Sequence, residues 1–203
     1  MPKKSLVFVV LLLGLLPLFA GCAQVEVAVK VDSQATIPRA RVVIYTQDYT
    51  VFDKARAFAL QEYRKLSPED REFISLQEKR DAPPYAVAWV WDFSKHPEKL
   101  KEFTEQFLGE DFTLSKDGDL IILRGRVDGE GIESSIQGLN SWGVRPFLSS
   151  VDLVVKTYMP GEILSFVDGQ VEGKTWYQTF NLGKLLQEKP VIDIEIIARE
   201  RRR

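Results

Sequence analysis

A chain of 203 residues, 45% of them hydrophobic and 11% aromatic, has enough apolar material for a packed core, which excludes a disordered stalk. Its formal net charge of -2 gives no basic footprint for nucleic acid. One cysteine and one histidine exclude a disulfide framework and supply no ligand set for a thiolate or zinc centre, so neither metal nor cofactor is expected.

The leader comes first. Lys3 and Lys4 give a positive start, the run from Leu6 to Ala20 is almost wholly apolar, and small Ala20 and Gly21 precede Cys22. That order is the order of a secretory signal. The run is short against the roughly 20 residues of a membrane span, and Gly14 and Pro17 interrupt it. The stretch Leu18-Phe19-Ala20-Gly21-Cys22 resembles the lipobox of bacterial lipoproteins. The resemblance implies a signal peptide over 1–21, its removal, and a diacylglyceryl group on Cys22, the lipidation site and membrane contact. At about 0.8 kcal/mol per buried methylene, two or more acyl chains anchor stably where one is marginal. Residues 22–203 are expected as a single extracytoplasmic domain on the cell membrane or outer membrane. Ala23, in place of the aspartate that retains many lipoproteins on an inner membrane, favours the outer one in a two-membrane cell.

Valine alternates from Val25 to Val31, the period of a half-buried strand, and Arg41 to Tyr45 reads as its antiparallel partner after Pro38. The period then changes to helical: Phe52, Ala55, Ala59, Leu60, Tyr63 and Leu66 share a face, with Thr50 and Asp53 as an expected capping box. Ser67-Pro68 opens a second, charged helix reaching about Arg80, giving a helical segment at about 50–80. After Pro83-Pro84, Tyr85 to Phe93 is a strand with Tyr85, Val87, Trp89, Trp91 and Phe93 on one face and Ala86, Ala88, Val90 and Asp92 on the other. A ring-bearing face opposite a small one suits burial under helices, the commoner explanation, and it is also what the wall of an apolar cavity looks like.

A third helix is expected from Pro97 to Leu108, then a hairpin around Lys116 to Asp119 joining Phe112–Leu114 to Leu120–Val127. Residues 128–146, with four glycines and Trp142, read as a long loop. Strands follow at Val151–Tyr158 and Thr175–Phe180, a short helix capped by Asn181, and an alternating strand from Val191 to Ile197. The fold class is α+β: a mainly antiparallel curved sheet with two or three helices packed on one face.

Thr157-Tyr-Met-Pro-Gly-Glu-Ile, Asp168-Gly169, Gly173 and Trp176, with Val25–Val31 after the lipid cysteine and Leu114–Asp119 before Leu123-Arg-Gly-Arg, resemble the pattern of the LppM-domain bacterial lipoproteins. The resemblance implies an envelope lipoprotein, some members of the family being suspected of binding lipids, and brings no catalytic residues.

His96 sits between Lys95 and Pro97 at a helix start and suits a solvated cap. Gly138 to Gly143 places its first glycine one residue too far from Ser141 for a nucleophile elbow, and Gly129-Glu-Gly131 completes no dinucleotide fingerprint. The pairs Glu69-Asp70 and Glu110-Asp111 have no evident cause for a raised pKa. No catalytic residue is expected. The expected function is a non-enzymatic membrane-anchored lipoprotein binding an envelope lipid or other apolar ligand against Trp89, Trp91 and Phe93, with Trp142 in a covering loop. The alternative is a protein-interaction or assembly module of the envelope, its partner unspecified.

Overall fold

The structure, a computed structural model, describes residues 23–107, 111–130 and 149–200. The leader, Cys22 and the greater part of the 128–146 loop, Trp142 included, lie outside the described residues.

Valine alternation builds the centre of the molecule. Strand β1 (Ala23–Lys30) pairs antiparallel with β2 (Arg39–Thr46). In the intervening turn the Asp32 carboxylate accepts hydrogen bonds from the backbone N–H groups of Gln34 and Thr36, both at 2.9 Å. On the far side of β2 lies the aromatic strand β4 (Tyr85–Asp92), and beyond it β3 (Ile74–Lys79) forms the edge. On the other side of β1, β7 (Val151–Tyr158) runs parallel to it, followed by β10 (Thr175–Asn181) and β9 (Gln170–Glu172). The seven strands stand in the order β3-β4-β2-β1-β7-β10-β9. A second sheet of four has the order β5-β6-β11-β8, from β5 (Thr113–Asp117), β6 (Leu120–Asp128), β8 (Glu162–Phe166) and β11 (Val191–Arg199).

Four helices are described: α1 (Tyr49–Lys65), α2 (Asp70–Phe73), α3 (Glu98–Phe107) and α4 (Leu182–Glu188). Phe52, Ala55 and Ala59 of α1, Phe103 of α3 and Leu182 and Leu185 of α4 join Val25, Val42, Ile44, Val87, Trp89 and Trp91 in one core. By register these strand residues share a face of the large sheet: Val25 pairs with Ile44, Ile44 with Val87 and Val42 with Trp89, while Trp91 pairs with Ala40 of the same core. A second core, of Val31, Ile121, Leu123, Met159, Trp176, Ile194, Ile196 and Ala198, fastens the small sheet to the large one.

The α+β class and the mostly antiparallel pairing stand, but several expectations are corrected. There are two sheets rather than one, and the larger is mixed. The second helix is a single turn, α2, followed by strand β3. Ile74 and Leu76 alternate with Ser75 and Gln77, and pairing with Trp91 and Trp89 captures that period of two. The charged end of β3 suits a sheet edge, where charges discourage further pairing. The cap of α1 is Asp48, whose carboxylate accepts from the backbone of Thr50 at 2.6 Å and Val51 at 3.2 Å, in place of a Thr50–Asp53 box. Asn181 caps α4 as expected, accepting from the backbone of Lys184, whereas α2 begins after Glu69, and Ser67, the expected cap, accepts from the backbone of Asp70 ahead of it.

Two glycines explain the turns around Trp176, which is 0% exposed. The Trp176 indole Nε1 donates to the Asp168 carbonyl at 3.0 Å. Asp168 and Gly169 both hold positive φ, 51° and 76°, and a Cβ on Gly169 would stand 2.7 Å from that same indole nitrogen. A Cβ on Gly161 would meet the Arg199 carbonyl oxygen at 1.7 Å, so only glycine lets the chain pass β11 there.

Candidate functional site

The ring-bearing strand is the natural place to begin. Trp89 and Trp91 are each 4% exposed and Phe93 is 2% exposed. Trp89 packs on Tyr63 of α1 at 5.9 Å between ring centroids. Phe103 of α3 stands 5.3 Å from Trp91 and 5.2 Å from Phe93, and Phe73 lies 6.1 Å from Phe93. The alternation of β4 thus brings three of the four residues proposed from sequence to one face, where their rings meet rings from α1, α2 and α3. Trp142 is the fourth and lies outside the described residues, as does Cys22, the lipidation site expected from sequence.

The opposite face of the same sheet carries a feature that the sequence reading missed. Glu26, 1% exposed, stands at the middle of β1 between β2 and β7. Its Oε1 accepts from Arg41 Nη2 at 2.7 Å and Nε at 3.1 Å, and its Oε2 pairs with Lys156 Nζ at 2.7 Å. Arg41 Nη2 also donates to the Tyr158 hydroxyl at 3.0 Å. Burial alone would push the Arg41 guanidinium down, but Glu26 and Tyr158 hold it above its ordinary value. Lys156 follows the same logic: burial lowers it, and the hydrogen bond and charge of Glu26 more than compensate. Burial, with Glu26 beside it, pushes the Tyr45 phenol up. With both carboxylate oxygens taken, Glu26 acts as the hub of a structural ion network. The legible signal was a charge set inside each of three valine-rich strands, at Glu26, Arg41 and Lys156.

Elsewhere, His96 stacks on Phe73 at 5.7 Å, with the carboxylates of Glu98 and Glu72 at 3.4 and 3.8 Å. Among the described residues no group of three or more His, Cys, Asp or Glu side chains could hold a metal ion. On the small sheet, Arg124 pairs with Glu195 and Arg126 with Asp193 across β6 and β11, a solvated ladder. The edge strand β8 differs in character: Leu164, Phe166 and the following Val167 are 44%, 42% and 45% exposed. A register shift between Ile197 and Ala198 puts a bulge at Leu164, where β8 crosses β11. No helix among the described residues is long and apolar enough to cross a membrane.

No family model matches the chain, and no curated protein matches it. A solved structure similar to it is the NMR structure of the folded domain of the Mycobacterium tuberculosis LppM protein. That similarity covers 89% of this chain and 91% of the other, with 11% identity and a TM-score of 0.48. At this distance it assigns no residue roles.

Proposed function

We propose that the chain is an exported lipoprotein, held on a membrane by acylated Cys22, whose folded domain works without catalysis as a protein-interaction module of the cell envelope. The tether rests on the apolar leader that ends in Ala20-Gly21-Cys22. Intact-mass measurement of protein from a bacterial host checks it. The expected species starts at Cys22 and carries the acyl mass, and Cys22→Ala protein leaves the membrane fraction.

One observation carries the interaction reading: the rings of β4 are spent inside the core, while large apolar side chains are exposed together at Leu164, Phe166 and Val167. β8 is also an edge, with one row of backbone groups unpaired in its sheet. An exposed edge with apolar side chains recognises an extended segment of another protein by adding it as a strand. A photo-crosslinking residue at Phe166 should trap one envelope protein in the native host, and Leu164→Lys should abolish the adduct. Uniform or absent crosslinking defeats this reading.

Binding of an envelope lipid is the second reading, resting on the ring-bearing face of Trp89, Trp91 and Phe93, which Phe103 of α3 contacts. Lipid that co-purifies with the protein and is lost in Trp91→Ala would support it over the first.

A further inference from the structure

The tether and the fold together fix which pole of the domain meets the bilayer. Ala23, one peptide bond from Cys22, is already paired on both sides, with Thr46 of β2 and Val151 of β7. An acylated Cys22 therefore has no linker, and the pole of the sheet that carries Ala23 must lie at the headgroups. Thr46 in turn pairs with Tyr85, which puts Tyr85 two strand spacings, about 10 Å, from the tether at the same height. Just past Thr46 the chain turns into α1, whose first residue, Tyr49, is 53% exposed. The Tyr49 ring meets Tyr85 edge-on at 5.3 Å and Phe52 at 5.6 Å, and Phe52 meets Tyr85 at 5.6 Å. Phe52 is 1% exposed and Tyr85 half-buried, so the cluster is rooted in the core and Tyr49 is its most exposed ring. The opposite pole ends in the polar turn Asp32–Thr36, closed by hydrogen bonds to the Asp32 carboxylate.

We propose that Tyr49, supported by Tyr85, is a membrane-seating contact: the domain leans on the lipid surface through this aromatic rim. The inference rests on the proposed acylation of Cys22. A tyrosine ring with an apolar body and a polar tip suits the headgroup level, where such residues are enriched. Charges of both signs stand at this pole, Asp48, Asp53, Lys54, Lys79, Arg80, Asp81 and, opposite Gln24, Asp152, with no basic excess to hold anionic headgroups. The contact is apolar in origin and persists in high salt. It orients the domain with β1 upright on the membrane and its first residue lowest.

The test uses the full chain purified from a bacterial membrane and placed in vesicles of phosphatidylethanolamine and phosphatidylglycerol that contain a headgroup-nitroxide lipid. Because acylation blocks Cys22, a thiol introduced by Thr50→Cys or, at the far pole, by Gln34→Cys is the single labelling site. A fluorophore at position 50 should be quenched several-fold more than one at 34, unchanged at high salt, and Tyr49→Ser should weaken the quenching at 50 while the protein still floats with the vesicles. Equal quenching at the two positions, or no effect of Tyr49→Ser, overturns the rim. Two labels per chain and no flotation would instead overturn the tether, and the rim with it.

Discussion

The two faces of the seven-stranded sheet are built on opposite principles. One spends its rings: Trp89, Trp91, Phe93 and, toward the second sheet, Trp176 are buried against helices and strands. The other carries small residues, Ala28, Ala86 and Ala88, around a buried carboxylate with two cations. The first face gains its stability from burial, which needs volume and tolerates no gap. The second gains little net stability from its charges, yet removing one member is costly because the others were desolvated for it.

The largest effect should come from emptying the ring face. Trp176→Ala should cost about 3–5 kcal/mol in urea unfolding, since it deletes a fully buried ring and strands the Asp168 carbonyl that accepted its N–H. A loss under ~1 kcal/mol would show that the second core is looser than its burial implies. Next comes the ionic face. Glu26→Ala should cost about 2 kcal/mol, because its cations are partly exposed (side chains 41% and 27%) and can turn to water. A double-mutant cycle with Lys156→Met should show positive coupling; additivity would mean that the pair is energetically idle.

Alkali sharpens the contrast further. Lys156, Arg41 and Tyr45 are all held above their ordinary values, so each keeps its proton longer folded than unfolded. Their contribution is fully present below the ordinary lysine and tyrosine range, near pH ~10, and is lost as pH rises through the folded values. Melting temperature should fall above that range, and less steeply in Glu26→Gln. The smallest effect belongs to the exposed edge: Phe166→Ser should change stability by no more than about 0.5 kcal/mol, since the ring is 42% exposed. A large loss there would mean that the ring belongs to the core.

The ring face was legible in the sequence because alternation at Tyr85–Phe93 and Val25–Val31 states which residues turn inward. So was the antiparallel pairing of β1 with β2, its neighbour in sequence; the parallel pairing of β1 with β7 was not, since it joins segments more than a hundred residues apart and leaves no local mark. Ile74–Lys79 misled because Phe73, Ile74 and Leu76 fit a weak helical face as well as a strand, and only contact with β4 decides between them. The Glu26 network escaped for a related reason: each charge alone looks like a solvated position, and their convergence needs the registers of three strands at once, β1 with β2 and β1 with β7. Gly161 and Gly169 read as turn residues; that each makes room for a specific neighbour is visible only in three dimensions.

The position of β1 has a mechanical consequence. A strand held on both sides from its first residue transmits a pull at Ala23 along its own length, so the hydrogen bonds to β2 and β7 are loaded together rather than peeled one by one. If Cys22 carries the proposed tether, tension between bilayer and domain would be borne in shear by the middle of the molecule, with the outlying strands left unstressed.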